Sequence, residues 1–169
     1  PHVFAIQPDS KGPKSIGILL ILSALLLFGL AYGDISLHQA EDLSNEEVEL
    51  ILSTPNSQGD GTEDISVDQY QKFHDAARDS GGYAIRGYGL GLAGIMILFG
   101  GVMLLSLKGA GAKLAVGGGI LGMASGISGS LLVKGAADAN LIGVLLLTYE
   151  ITTYLCGVCM AMCIGLAAL

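Results

Sequence analysis

Long apolar blocks alternate with short polar segments along the chain. Four blocks approach or exceed the roughly 20 residues that an α-helix needs to cross the hydrocarbon core of a bilayer. They cover residues 16–32, 88–107, 114–133 and 141–169. Polar and apolar residues do not alternate inside them, as they would in a half-buried strand. Because lipid provides no hydrogen-bond partner for the backbone, the blocks are predicted to be transmembrane helices.

The predicted fold is therefore an all-α membrane protein, a bundle of four transmembrane helices with a small, acidic, helical extramembrane segment between the first two. Residues 1–33 hold the polar N-terminus and the first helix, 34–86 the extramembrane segment, and 87–169 the other three helices. The links at 108–113 and 134–140 are short, which predicts antiparallel neighbours. The first block exceeds the usual apolar core of a signal peptide, so we expect it to be retained.

The charge of the chain is concentrated in one region. The formal net charge is −7, yet twelve acids face only Lys72, Arg78 and Arg86 between residues 34 and 86. An acidic segment argues against nucleic acid as a partner, because phosphates require a positive surface. Cations or a basic partner suit it better.

The basic residues indicate an orientation. Four lysines are concentrated beside the first block and between the second and third: Lys11, Lys14, Lys108 and Lys113. The same number of basic residues on the other side is diluted by acids along a longer stretch. Because cytoplasmic loops are enriched in Lys and Arg, we expect both termini in the cytoplasm and the acidic segment outside.

Small residues recur at helical spacing in the third and fourth blocks. Gly118, Gly122 and Gly126 are four residues apart, and Gly157 and Ala161 repeat that spacing in the last block. Small residues four apart let helix backbones approach closely, and this packing drives association in lipid. We expect helix packing here, within one chain or in a homo-oligomer or larger membrane complex.

Glu150 is the acid expected within a transmembrane helix. A carboxylate at bilayer depth costs at least a few kcal/mol, so it is expected to face the bundle interior. Thr153 and Tyr154 lie beside it on its own helix, and Ser125 and Ser128 on the third helix are candidate partners. Two interpretations stay open: the carboxylate exchanges a proton or sodium ion during transport, or it fixes helix register as a neutral acid.

The last two helices faintly resemble the hairpin of rotary ATPase proteolipids of the vacuolar and archaeal type. The resemblance covers residues 111–169 and depends on the glycine-rich helix 117–129, a short turn, and Glu150 followed by Tyr154 and Gly157. In that family the glutamate of the last helix binds the ion, so the resemblance implies this role for Glu150. The acidic segment has no counterpart in the family.

Residues 43–73 resemble a single EF-hand, in which two helices flank an oxygen-rich calcium loop. Ser44 or Asn45 caps the expected first helix, and the second begins near Val67 with Tyr70 and Phe73 on one side. The resemblance implies early ligands and a sharp turn at positions within the loop: Asn56, Gln58, Asp60 and the turn glycine Gly61.

The EF-hand pattern is degenerate. Gln58 replaces the usual acid and Gln69 stands where a closing glutamate is expected, although Asp64 or Asp68 could substitute. Calcium is the only cofactor that the sequence suggests, and its expected binding is weak. His74, on the second helix, is expected at the surface.

No sequence motif indicates an enzyme. The chain has no phosphate-binding loop followed by lysine, no nucleophile elbow and no metal-binding pair of histidines on a helix. The leading hypothesis is a channel-like or scaffold subunit of an oligomeric assembly, with an acidic cap that binds cations or a partner. The alternatives are a subunit that translocates protons or sodium at Glu150, and a purely structural membrane subunit.

Overall fold

The computed structural model describes residues 11–58 and 64–168 of the 169-residue chain. It contains six helices: α1 (Lys11–Gln39), α2 (Asn45–Gln58), α3 (Val67–Asp79), α4 (Gly82–Leu105), α5 (Ala110–Asn140) and α6 (Gly143–Ala168). Helices α1, α4, α5 and α6 are long and apolar enough to cross a membrane. The prediction of an all-α membrane bundle with four spanning helices is confirmed.

The third spanning helix is longer than its apolar block. Helix α5 has 31 residues and a length of about 46 Å, well beyond a hydrocarbon core of about 30 Å. Helix α5 includes most of the predicted link at 108–113 and all of the predicted link at 134–140. The predicted positions of both links were therefore wrong. The actual connections are residues 106–109 and 141–142. The extra turns are stabilised because Val133, Ala136 and Ala137 are buried in the core shared with α3.

Helices α4 and α5 form the centre of the bundle. Helix α1 packs on α4, and α6 packs on α5, while α1 and α6 meet at few positions. Glycine makes the α4–α5 contact possible: a Cβ atom on Gly100 would lie 2.8 Å from the carbonyl oxygen of Gly111 and 2.9 Å from the backbone nitrogen of Ala115. The two backbones therefore touch with no side chain between them.

The α1–α4 contact follows the same principle. A Cβ atom on Gly17 would lie 2.8 Å from the carbonyl oxygen of Gly101, and one on Gly101 would lie 2.8 Å from that of Gly17. Farther along α4, Gly94 accommodates the ring of Phe28. Glycines on two faces of α4 thus let it approach α1 and α5 at the same time.

Helices α2 and α3 form the cap, which we define as residues 40–81. The predicted start of α2 is confirmed by a reciprocal capping box: the Ser44 backbone nitrogen donates to Glu47 Oε2 at 3.0 Å, and the Glu47 nitrogen donates to Ser44 Oγ at 3.3 Å. The predicted start of α3 at Val67 is also confirmed, and Ser66 caps it by accepting from the backbone nitrogen of Gln69 at 3.2 Å.

The cap and the bundle share one apolar core. The buried side chains of this core come from α2, α3 and the segment before it, and from the ends of α4, α5 and α6 that meet the cap: Val48, Leu52, Ile65, Tyr70, Phe73, Ala77, Tyr83, Val133, Ala136, Ala137, Leu141 and Leu145. The ring centroids of Phe73 and Tyr149 are 4.9 Å apart. The cap is thus packed onto the bundle as a continuation of its interior.

Candidate functional site

The charged residues that border the apolar blocks mark one membrane boundary. Uncharged stretches of 19, 21 and 20 residues separate Lys14 from Asp34, Arg86 from Lys108, and Lys113 from Lys134. Each stretch is about 30 Å long as a helix, which matches the hydrocarbon core. We call the side chains at the cap end of these stretches, together with the acid of α6, the boundary layer: Asp34, Arg86, Lys134 and Glu150.

A buried ion pair joins three helices in this layer. The Arg86 guanidinium of α4 donates two hydrogen bonds to the Asp34 carboxylate of α1, one of them from Nε to Oδ2 at 2.7 Å. Arg86 Nη1 also donates to Ser130 Oγ of α5 at 3.4 Å. The Asp34 side chain is 7% exposed and that of Arg86 14%. The bidentate hydrogen bonds and the additional bond to Ser130 offset the free-energy cost of removing this ion pair from water.

This network was not predicted from the sequence, where Asp34 and Arg86 count only as charges of the acidic segment. One signal was available. Each is the charged residue nearest to an apolar block at the cap end of that block: Asp34 follows the first block, and Arg86 precedes the second. An unpaired charge at that depth is costly, so two such residues of opposite sign are candidates for a pair.

His74 and Arg78 of α3 cap the end of α1. His74 Nε2 lies 3.2 Å from the carbonyl oxygen of Ala40, and Arg78 Nη1 donates to the same oxygen at 3.1 Å and to that of Glu41 at 2.5 Å. These contacts satisfy carbonyl groups that have no partner within the helix. The prediction that His74 lies at the surface was wrong, since it is 1% exposed and one turn from buried Ala77.

The outer surface of the cap is acidic. Its exposed acids are distributed over α2, α3 and the segments before them: Glu41, Asp42, Glu46, Glu47, Glu49, Asp64, Asp68 and Asp79. The hydrogen bonds from Ser44 lower the pKa of Glu47, which favours its charged form. Inside the cap, burial raises the pKa of Tyr70 despite its hydrogen bond with Tyr149, so this phenol is neutral at physiological pH.

An open pocket of about 520 Å³ lies between the end of α1 and α3. Three carboxylates and one guanidinium contribute to its lining: Glu41, Asp42, Asp75 and Arg78. The pocket therefore carries a net negative charge, which suits a cationic group.

Glu150 lies in a second pocket, between α5 and α6. Its volume is about 300 Å³, and Lys134 and Asp138 of α5 contribute to its lining with Thr153 and Tyr154 of α6. The preceding residue, Tyr149, contacts the cap residue Phe73. Glu150 is thus in the part of α6 that lies beside the cap. The expectation that it belongs to a helix long and apolar enough to cross a membrane is confirmed, and seven residues of α6 precede it.

The hydroxyl groups predicted to surround Glu150 bond to their own helices instead. Ser125 Oγ donates to the carbonyl oxygen of Leu121 at 2.9 Å, and Ser128 Oγ to that of Ala124 at 2.7 Å. Thr153 shares the pocket with Glu150, but its hydroxyl donates to the carbonyl oxygen of Tyr149 at 2.9 Å. Neither serine lines the Glu150 pocket, which instead contains the Lys134–Asp138 pair.

The small residues predicted for helix packing divide into two groups. Gly118, Gly122 and Gly126 are buried, and a Cβ atom on Gly118 would lie 3.0 Å from the carbonyl oxygen of Ala93. A Cβ atom on Gly157 would lie 3.8 Å from Ile127 Cδ1, an ordinary van der Waals contact, and Ala161 is exposed. Ala161 therefore does not pack against another helix of the same chain, because α6 contacts α5 through a different face.

The structure describes the candidate calcium ligands only in part. Helix α2 continues through Asn56 and Gln58, while Asp60 lies outside the described residues. Asp64 and Asp68 are exposed near the start of α3. In residues 11–58 and 64–168, no three His, Cys, Asp or Glu side chains are close enough to hold a metal ion. Gln69, at the expected closing position, donates to the carbonyl oxygen of Asn140 at 2.8 Å and so joins the cap to α5.

Comparisons of this chain with protein-family models, with curated proteins and with solved structures gave no match. The function has to be inferred from the side chains and their positions. The fold and the boundary layer together define the protein as a multi-pass integral membrane protein with four spanning helices.

Proposed function

We propose that the protein is a membrane scaffold subunit whose acidic cap binds a basic partner protein at the membrane surface. One observation carries the proposal: the cap shares its core with the bundle, so the backbone that bears its exposed acids is held in place. A fixed array of charges loses little conformational entropy on binding, which favours affinity. Complementary charge would also accelerate association with a basic partner.

The pocket between α1 and α3 is the proposed contact for one basic side chain. Glu41, Asp42 and Asp75 outnumber Arg78 there, and Gln71 Nε2 fixes Asp42 by donating to Oδ1 at 3.2 Å. Calcium is a weaker candidate ligand for the cap, because the described acids are spread over the surface. The positions of the lysines favour an extracytoplasmic cap and cytoplasmic termini.

The test uses the full chain in lipid nanodiscs and a fluorescent peptide rich in Lys and Arg. We expect binding that weakens with salt and that is reduced by the double variant Glu41→Gln, Asp42→Asn. The matched control neutralises Lys108 and Lys113 on the opposite membrane face and should leave binding unchanged. Equal binding by all three proteins would contradict the proposal. Displacement of the peptide by millimolar calcium, but not magnesium, would favour a calcium site instead.

Assembly with further copies or with other membrane subunits is part of the same proposal. Tyr154 and Ala161 are exposed on α6, the spanning helix with the smallest buried share. Small residues on an exposed face let a second helix approach. Replacing Ala161 by Leu should lower the oligomeric state measured by native mass spectrometry, whereas replacing exposed Ala124 on α5 should not.

Proton or sodium exchange at Glu150 is a second candidate function. It is favoured by one observation, a partly buried carboxylate in a pocket that can hold water. Carbodiimide labelling of Glu150 that depends on pH would support it. Absence of labelling at every pH would count against transport and leave the scaffold or a purely structural role.

A further inference from the structure

The pocket between α5 and α6 contains one basic and two acidic side chains, and the proposed scaffold function does not involve them. Lys134 Nζ donates to both carboxylate oxygens of Asp138, at 2.9 Å and 2.8 Å. Glu150 adds a second carboxylate, so one ammonium faces two acids and the pocket carries one net negative charge. Lys134 has a third hydrogen to donate. The pocket can therefore bind a cation and an anion at neighbouring points.

The pocket opens away from the cap. Its α5 residues Leu131, Lys134 and Asp138 lie on one face, whereas Val133 and Ala137 on the other face are buried in the core shared with the cap. A Cβ atom on Gly135, which also lines the pocket, would meet open space. The cap does not cover this side of the bundle, so the bilayer itself is its neighbour.

The position of the pocket matches the depth of lipid headgroups. Lys134 and Glu150 end the uncharged stretches of their helices, and Leu131 and Tyr154 beside them are 55% and 70% exposed. Tyrosine is enriched at this depth because its ring is apolar and its hydroxyl is polar. A lipid bound here would place its headgroup in the pocket and its chains along the exposed apolar faces of α5 and α6.

We propose that this pocket binds a phospholipid whose headgroup carries both a phosphate and a primary ammonium, as an ethanolamine phospholipid does. Lys134 and the Tyr154 hydroxyl donate to the phosphate, and the headgroup ammonium donates to the carboxylates of Glu150 and Asp138. Both contacts are charge-assisted hydrogen bonds, which are about twice as strong as neutral ones. Soluble phosphoethanolamine offers the same chemistry without the chains.

The charge arrangement selects among headgroups. A choline headgroup has the same net charge, but its quaternary ammonium has no hydrogen to donate to Glu150 or Asp138. A glycerol headgroup is anionic and has no cation for the two carboxylates. The pocket should therefore prefer ethanolamine over choline, and choline over glycerol.

Native mass spectrometry of the delipidated full chain in detergent tests the site with three phospholipids that have identical acyl chains. We expect the ethanolamine lipid to bind about tenfold more tightly than the choline lipid, the effect of one charge-assisted hydrogen bond. The wild-type comparison needs no variant, so a folding defect cannot obscure it. Equal binding of the two lipids, or tightest binding of the glycerol lipid, would overturn the proposal.

Variants assign the preference to this pocket. Glu150→Gln should abolish the preference for ethanolamine, and Lys134→Gln should weaken both zwitterionic lipids alike. Glu49→Gln, an exposed acid of the cap, is the matched control and should change nothing. A preference that survives Glu150→Gln would overturn the assignment, as would soluble phosphoethanolamine binding as tightly as the lipid. None of these outcomes bears on the cap's affinity for basic peptides.

Discussion

The α4–α5 contact brings backbone against backbone, whereas the cap meets the bundle through large side chains. At Gly100 and Gly111 a single added carbon would lie within 3 Å of a carbonyl oxygen of the neighbouring helix. At the cap, the rings of Tyr70, Phe73 and Tyr149 fill the interface. The first interface is stabilised by close approach in lipid, and the second by removing apolar surface from water.

This difference follows from the solvent around each interface. In hydrocarbon there is no hydrophobic driving force for apolar side chains to associate. Spanning helices therefore depend on close contact and on polar pairs such as Asp34–Arg86. Water surrounds the cap, where burial of an aromatic side chain contributes a few kcal/mol. The two regions should therefore respond to different substitutions.

Removing one charge of the buried ion pair should be the most damaging change. Asp34→Asn leaves the Arg86 guanidinium buried without its counter-ion, which should destabilise the fold by about 4 kcal/mol. Unfolding of the detergent-solubilised protein by sodium dodecyl sulfate, followed by circular dichroism, measures the loss. The double variant Asp34→Leu, Arg86→Met should be less destabilised than the single one. A double variant that is worse would mean that the pair is not coupled as described.

Truncating the central ring of the cap core should cost about 3 kcal/mol. Phe73 is fully buried, and Phe73→Ala would leave a cavity between α3 and α6. The damage should be confined to the cap, so hydrogen exchange should accelerate in α2 and α3 while the centres of α4 and α5 stay protected. Phe73→Leu is the milder control. Uniform acceleration along the whole chain would contradict the separation of the two interfaces.

Adding one methyl group to the α4–α5 contact should cost about 2 kcal/mol. Gly100→Ala forces the backbones apart, because the nearest atoms are two backbone atoms and the Cβ atom of Ala115, none of which can rotate away. Unfolding in detergent mixtures provides the measurement. Gly29→Ala in α1 is the matched control, since its Cβ atom would meet open space. If both variants were equally stable, the close approach of α4 and α5 would be refuted.

Loss of the Gln69 hydrogen bond should cost about 1 kcal/mol. Gln69→Ala removes the donor to the carbonyl oxygen of Asn140 but leaves the apolar core intact. Protease sensitivity of the cap in nanodiscs should increase slightly, without a change in the bundle. Gln71, on the same helix as Gln69, donates to the exposed side chain of Asp42. Gln71→Ala is therefore the comparison variant and should have less effect.

Acidification should have the smallest effect and should act on α2 alone. The folded state lowers the pKa of Glu47 through its bonds with Ser44, so the folded state gains stability above the unfolded-state pKa. That contribution is lost as the pH falls through the lowered pKa. Protection of the amides at the start of α2, the ratio of the intrinsic to the observed exchange rate, should therefore decrease between pH 6 and pH 3. Ser44→Ala should reduce this pH dependence, because only the backbone bond to Glu47 remains, and Glu47→Gln should remove it. A Glu47→Gln variant that keeps it would contradict the capping box.

The sequence was sufficient where local patterns decide the structure. The four spanning helices follow from block length, and the start of α2 follows from Ser44 as a cap. These features depend on residues within one or two turns of one another. A single sequence carries such information directly.

Features that depend on tertiary contacts could not be obtained in this way. Asp34 and Arg86 are 52 residues apart, and their pairing depends on how α1 and α4 approach. The depth of Glu150 depends on where α6 begins, which is decided by the packing of α5 and Tyr149 against the cap. His74 looked like a surface residue because its partner, the Ala40 carbonyl group, lies just after the end of α1 and is distant in the sequence.

The junction between α3 and α4 has a mechanical consequence. Only Ser80 and Gly81 separate the last helix of the cap from a spanning helix, and Gly81 adopts a left-handed conformation with φ of 74°. A connection of two residues cannot extend much further. Any tension applied to the cap from outside would pass directly into α4, and from there to both neighbours with which α4 is in backbone contact.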